Sequence, residues 1–301
     1  MKEASPFISE YADFLSGFLH DDARALNVVF DCSNGATGPV IDALFPDSII
    51  LNGRPDGNFP NHAPDPLQEG SLDALRKKVI SDHADVGVIF DADGDRVFFV
   101  DDRGRFVDPD VVAYLLLLSL RPKRFVTDTK DGWVVRRQPF GAKRIESKTG
   151  HYFIKHAMRK NCAELGCERS GHYYFKNFFF CDSGTMAAIE MLNAVARLPY
   201  RLSDLVDLLP ATYRSKEINV PILSGARETM LARIARAYAK DAIAVSTMDG
   251  ITMEFSDPDW WFNVRFSNTE PLVRLSMEAR DRAVYDAQFK KLTGLLKQSS
   301  K

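Results

Sequence analysis

Between residues 26 and 90, three short apolar runs alternate with two segments of helical period. LNVVFD (26–31), SIILNG (48–53) and ADVGVIF (84–90) are strand-length; VIDALF (40–45) and SLDALRKKVI (71–80) place apolar side chains on one helical face. Strand, helix and strand joined by short loops specify α/β layering, and a mostly parallel sheet is expected. GRPDGNFPNHAPDP (53–66) holds too much Pro, Gly and Asn to be anything but loop.

A similar unit restarts after LRPKR (120–124): strand FVTDTK, strand KRIES, helix YFIKHAMRK, the stretch ELGCERSGHYYF and the helix SGTMAAIEMLNAVARL. From Tyr213 onward the texture changes to SKEINVPI, the helix RETMLARIARAYAK, two strand-like runs around Asp249–Gly250 and a last helix. The expected fold class is therefore α/β, with two consecutive α/β domains and then a smaller α+β domain built on an antiparallel sheet. The expected division is a linker helix at 1–24, domains at 25–122 and 123–206, and the C-terminal domain at 207–301. A chain of 301 residues is more than one ordinary domain, in keeping with that division.

A formal charge of −2 argues against a nucleic-acid or anionic-membrane partner. The greasiest run, VVAYLLLLSL (111–120), is half the ~20 residues that a membrane span needs, so a buried helix is expected. Residues 1–20 mix charges with apolar residues, so no signal peptide is expected there. The four cysteines show no metal-finger spacing and read as reduced thiols, so a cytoplasmic protein is expected.

Three stretches carry chemistry. In VIFDADGDRVFFV (88–100), Asp91, Asp93 and Asp95 fall at alternate positions and can face one ion, and Gly94 permits the tight fold between the last two. Three carboxylates make a hard oxygen site suited to Mg²⁺. A solvated acidic turn is the ordinary alternative. A calcium EF-hand fails, because its sixth position needs Gly and holds Arg96, and a strand precedes the loop. Arg96 is better placed to meet a phosphate. In RFSNTEPLVRL (265–275), Arg265 offers a bidentate fork, and Ser267, Asn268 and Thr269 bring polar side chains and N–H groups to a turn closed by Pro271. Taken alone, that stretch is equally a polar turn. In GCERSGHYYF (166–175), Glu168, Ser170 and His172 alternate, and a carboxylate beside a hydroxyl suits the hydroxyls of a neutral sugar. Lys130 ends TDTK and His151 ends SKTGH, two cations at apparent strand ends, where α/β sites lie.

Together and in this order, these stretches resemble the α-D-phosphohexomutases, and within them the bacterial phosphomannomutase/phosphoglucomutase type. DADGDR is similar to that family's metal loop, GCERSGH to its sugar loop and RFSNTEP to its phosphate loop. DCSNGATG, DGNFPNHAPDP, KTGH and MDGITMEF add further matches, so the resemblance runs from residue 1 to about 295. It implies interconversion of hexose 6-phosphate and hexose 1-phosphate, of mannose or glucose, through a hexose 1,6-bisphosphate. By the same resemblance Asp91, Asp93 and Asp95 would hold Mg²⁺, and Arg96 would lie near the transferring phosphate. Glu168, Ser170 and His172 would read the sugar. Arg265, Ser267, Asn268 and Thr269, helped by Lys130 and His151, would clamp the other phosphate, with His151 also a proton-transfer group.

The family's nucleophile is a phosphoserine in a motif resembling T-[AG]-S-H-N-P, in a domain that precedes these. The 301 residues contain no such motif, and Cys167 and Arg169 depart from the family's usual sugar loop. The resemblance therefore implies the family's second, third and fourth domains without the nucleophile. Three readings follow: part of a full mutase, one half of a split enzyme whose phosphoserine domain is a separate polypeptide, or a non-catalytic sugar-phosphate-binding protein. On the first two readings the chain alone would be inactive.

Overall fold

The computed structural model describes residues 6–221, 227–267 and 270–297. They form two compact units, one of Met1–Val126, Val134–Ile145 and Ile154–Leu209, the other of Thr127–Trp133, Glu146–Phe153 and Pro210–Lys301. In chain order the elements up to Leu208 are α1 (Pro6–Ser16), α2 (Asp21–Arg24), β1 (Val28–Asp31), α3 (Gly38–Leu44), β2 (Ile49–Leu51), α4 (Asp73–Ser81), β3 (Val86–Phe90), β4 (Val97–Asp101), β5 (Phe106–Val107), α5 (Pro109–Leu120), β6 (Arg124–Thr127), α6 (Trp133–Arg136), β7 (Lys143–Glu146), α7 (His151–Asn161), β8 (Leu165–Cys167), β9 (Tyr173–Phe175), β10 (Cys181–Asp182), α8 (Gly184–Ala196) and α9 (Leu202–Leu208). Then follow β11 (Tyr213–Arg214), β12 (Ile218–Pro221), α10 (Arg227–Tyr238), β13 (Ala244–Ser246), β14 (Ile251–Ser256), β15 (Asp259–Phe266), β16 (Leu272–Ala279) and α11 (Arg282–Lys297).

The larger unit carries two five-stranded sheets, ordered β2-β1-β3-β4-β5 and β10-β9-β8-β6-β7. The first sheet is mixed, which corrects the expectation of a mostly parallel one: β1 pairs with β2 and β3 in parallel, whereas β4 runs antiparallel to both β3 and β5. The reason is the acidic loop itself. Residues 91–96 are too few for a parallel crossover, so the chain can only turn back beside β3. In the second sheet β8, β9 and β10 are likewise antiparallel.

Strand residues alternate between two cores. Val28, Phe30, Val86, Val88, Phe90, Val97 and Phe99 join one cluster with residues of α1, α3, α5 and α8 and of the second sheet. Val29, Ile89, Phe98 and Val100 pack on the opposite face against Leu75 and Val79 of α4. Strands buried on both faces explain why these stretches read as continuous apolar runs. VVAYLLLLSL lies within α5, a buried helix as expected, capped by the Asp108 side chain on the Asp110 N–H. Among the described residues no helix is long and apolar enough to cross a membrane.

The smaller unit is an antiparallel sheet, β11-β16-β15-β14-β13, with β12 also on β16. Alternation again divides it. Phe262, Val264, Val273, Leu275 and Met277 face the core beneath α10 and α11. The intervening Trp261, Asn263, Arg265, Arg274, Ser276 and Glu278 fall on the other face. In register, Arg265 lies opposite Arg274, and Trp261 opposite Glu278.

Candidate functional site

The β3–β4 connection brings the three predicted carboxylates together: ligand oxygens of Asp91, Asp93 and Asp95 all lie within 4.8 Å of one another. Gly94 is required there. Its φ is +78°, and a Cβ would stand 2.3 Å from the Thr37 side chain. Asp91 is buried while Asp93 is exposed. Asp91 Oδ1 accepts from the N–H groups of Gly94 and Arg96, and Arg96 Nε donates to Asp91 Oδ2 at 2.6 Å. Burial pushes the Asp91 carboxyl up to about 6, against the pull of Arg96. The Arg96 guanidinium also lies 3.5 Å from Asp65 and 3.8 Å from Asp95.

The loop carrying Glu168, Ser170 and His172 meets this loop directly. Arg96 and His172 form an isolated antiparallel bridge, and the Val97 N–H donates to the Gly171 carbonyl at 3.1 Å. His172 Nε2 stands 3.4 Å from Asp95 Oδ2, and its Nδ1 is 2.7 Å from Ser170 Oγ. Burial works to lower the pKa of this ring, but the hydrogen bond and charge of Asp95 together with the charges of Glu168 and Asp182 outweigh it, and the pKa is raised. The same contact lowers that of Asp95. Glu168 is 5% exposed and accepts from the Tyr174 hydroxyl at 2.5 Å. Glu168, Ser170 and His172 thus share one side of the turn and adjoin the aspartates.

In the smaller unit, Arg265 and Arg274 stand opposite each other on a polar sheet face, where like charges repel unless something bridges them. Glu217 bridges them: its Oε2 accepts from Arg265 at 3.1 Å and its Oε1 from Arg274 at 3.1 Å. Lys130 Nζ lies 3.8 Å from the same carboxylate and 3.4 Å from Asp128. Ser267 Oγ lies 3.4 Å from the Arg274 guanidinium and accepts from the Glu270 N–H at 3.2 Å. Both arginine Nε atoms are buried without a hydrogen-bond partner among the described residues.

Lys130 sits mid-chain yet belongs to this unit because Glu278 holds its segment. Glu278 Oε2 accepts from the Trp133 N–H at 3.0 Å and from Trp261 Nε1 at 2.9 Å, and Arg214 donates to the Lys130 carbonyl. His151 is the first residue of α7 and exposed, so it opens a helix and does not end a strand. Its neighbour Thr149 donates to Asp128 Oδ2 at 3.1 Å and, through its N–H, to Asp249 at 3.4 Å. Asn268 and Thr269 lie outside the described residues.

Sequence reasoning overlooked Arg274 and Glu217. Arg274 had a signal, since pairing the strands on either side of SNTEP sets it across from Arg265. Glu217 had none, because β12 reaches β16 from a distant part of the chain.

Comparison with known proteins covers the same span. Family models for phosphoglucomutase/phosphomannomutase match in order: alpha/beta/alpha domain II over 9–104, alpha/beta/alpha domain III over 108–213 and the C-terminal domain over 217–293. The phosphomannomutase of Salmonella typhimurium is 37% identical over 306 residues, 96% of this chain and 66% of its own length. A phosphoglucomutase/phosphomannomutase family protein from Burkholderia thailandensis superposes with a TM-score of 0.82 at 28% identity, over 98% of this chain and 65% of that one. Aspergillus fumigatus N-acetylphosphoglucosamine mutase, solved with GlcNAc-6P and magnesium, shares the fold at a TM-score of 0.66 and 15% identity, over 97% of this chain and 66% of its own. The chain thus spans about two thirds of the length of the curated relatives it matches, and none of these findings supports a separate serine-bearing polypeptide. With the 168–172 loop set against the aspartates and three successive family models matched in order, the chain belongs to the phosphoglucomutase/phosphomannomutase family.

Proposed function

We propose that these residues supply the metal, sugar and phosphate recognition of a phosphohexomutase that interconverts hexose 6-phosphate and hexose 1-phosphate through a hexose 1,6-bisphosphate, with mannose or glucose as the hexose. The observation that carries the proposal is the His172 bridge, which joins Ser170 of the sugar loop to Asp95 of the acidic loop within one unit.

Each set of residues has a role that its chemistry suits. Asp91, Asp93 and Asp95 present clustered oxygen donors of the kind Mg²⁺ takes. A bound Mg²⁺ would offset charge on a phosphoryl group in transfer. Arg96, kept in place by Asp91, offers its remaining guanidinium donors to the same phosphate. Glu168 and Ser170 are acceptor and donor for neighbouring sugar hydroxyls, and His172 orients Ser170. Arg265, Ser267 and Lys130, joined by Arg274, form the clamp for a phosphate that does not react, to which Asn268, Thr269 and His151 are also assigned. His151 is further assigned proton transfer, which its exposure permits. Phosphoryl transfer asks mainly for positioning and charge neutralisation, which these groups provide.

The phosphoserine would have to come from residues outside the 301, so turnover by these residues alone is not expected. The domain limits 1–24, 25–122, 123–206 and 207–301 and a cytoplasmic location belong to the same proposal. Calorimetric titration of the folded chain with mannose 6-phosphate and glucose 6-phosphate, with and without Mg²⁺, tests it. Saturable binding of either sugar phosphate, tighter than that of inorganic phosphate, is expected. Equal affinity for inorganic phosphate and both sugars would refute the sugar-reading assignment.

A further inference from the structure

We propose that Arg169 is a positioning residue for the sugar loop: it ties the 168–172 turn to the N-terminal end of α5 and so sets where Glu168 and Ser170 stand. The proposal rests on the assignment of that loop to hexose recognition. Residue 169 lies between the two polar readers, on the alternate side of the chain, and its side chain is spent elsewhere. One terminal nitrogen donates to Asp108 Oδ1 at 3.0 Å and also to Asp110, and the other donates to Asp108 Oδ2 at 3.2 Å. Both carboxylates are fixed by the helix. Asp108 caps α5 by accepting from the Asp110 N–H at 2.9 Å, and the Asp110 side chain is only 8% exposed. The helix itself is immobilised by Val112, Leu115 and Leu116, each 0% exposed.

Beyond the contacts of Glu168 with Tyr174 and of His172 with Asp95, the turn has backbone ties. The Gly171 N–H donates to the Glu168 carbonyl at 3.1 Å, the Glu168 N–H to the His172 carbonyl at 2.9 Å, and the Val97 N–H to the Gly171 carbonyl. These close the turn and hold its far end on β4. The guanidinium fork adds to these a side-chain tie from residue 169 to the start of a helix. A planar fork spanning two carboxylates is a geometry that lysine cannot copy with one compact ammonium. Without it, Asp108 and Asp110 would face each other without a shared cation and push the near side of the turn outward. Two hydroxyl readers must keep their spacing to discriminate a sugar, so a displaced turn lowers sugar affinity and leaves phosphate affinity alone.

The test compares the full chain with R169K, R169M and R169M/D110N in urea stability, in amide exchange at Glu168 and Gly171, and in affinity for hexose 6-phosphate and inorganic phosphate. In R169M both amides should exchange about tenfold faster and hexose 6-phosphate affinity should fall about tenfold, with inorganic phosphate unchanged. The double variant should regain stability, since no carboxylate pair is left repelling, yet recover neither amide protection nor sugar affinity. R169K should fall between. Unchanged amide protection in R169M overturns the proposal, as does a double variant that regains sugar affinity together with stability. A wild-type chain that binds no hexose phosphate refutes the sugar assignment instead, and the exchange rates still decide whether Arg169 holds the turn.

Discussion

Replacing Arg265 with alanine is the most informative single perturbation of the proposed phosphate clamp. The Arg265 side chain is 7% exposed, that of Arg274 is 26% exposed, and both share Glu217. Loss of Arg265 leaves Glu217 with Arg274 at 3.1 Å and Lys130 at 3.8 Å, so no buried carboxylate is stranded. The stability cost then lies between that of an exposed pair and a broken buried one, about 1–2 kcal/mol. The binding cost is larger. A charge-assisted hydrogen bond to a phosphate contributes about 1.5–3 kcal/mol, which is about 10- to 150-fold in affinity. Arg274→Ala removes a more solvated cation and should cost less than Arg265→Ala in the same titration. Hexose 6-phosphate binding by calorimetry, paired with urea melts of each variant, reads both quantities. The clamp assignment fails if Arg265→Ala binds within twofold of wild type, or if Arg274→Ala costs more.

Three further outcomes are expected. Asp93 is exposed and contributes through its charge, so Asp93→Asn should weaken Mg²⁺ binding about tenfold or more in a calorimetric titration and leave the urea midpoint in place; an unchanged Mg²⁺ isotherm would count against the acidic loop as the metal site. Gly171 has a φ of +90° and a Cβ there would meet Phe98 at 2.7 Å, so Gly171→Ala should lose about 2–4 kcal/mol by urea denaturation, and a loss under about 1 kcal/mol would contradict this geometry. His62 Nε2 lies 3.1 and 3.2 Å from the two oxygens of Asp31, a hydrogen bond that raises its pKa above the usual 6.5. A raised histidine pKa stabilises fully below the unfolded value and ceases to do so as pH climbs through the folded one. The melting-temperature advantage of wild type over His62→Gln should therefore shrink as the pH rises above about 6.5, and an advantage that grows with pH would show that the neutral ring makes the bond.

Local chemistry was legible wherever a short segment decides its own shape. Three aspartates at alternate positions around Gly94 converge because the turn is tight, and Glu168, Ser170 and His172 come together because the chain turns back at Gly171, whose φ is +90°. The fold class followed from the same periodicities. The parallel expectation for the first sheet failed because DADGDR is also the β3–β4 connection, too short for a parallel crossover.

By itself, then, the sequence determined the element types and the polar residues that each loop carries, which depend on side-chain identity and spacing within about ten residues, and the order of those motifs along the chain pointed to the family. Only the tertiary structure decided which of these residues stand together. It set His172 on Asp95, seated Arg169 on Asp108 and Asp110, drew Lys130 into the C-terminal unit through Glu278, and supplied Glu217 as the carboxylate between two opposed arginines. Each of those partnerships joins residues far apart in the chain, and their distance is set by how sheets and helices pack, which no local pattern encodes.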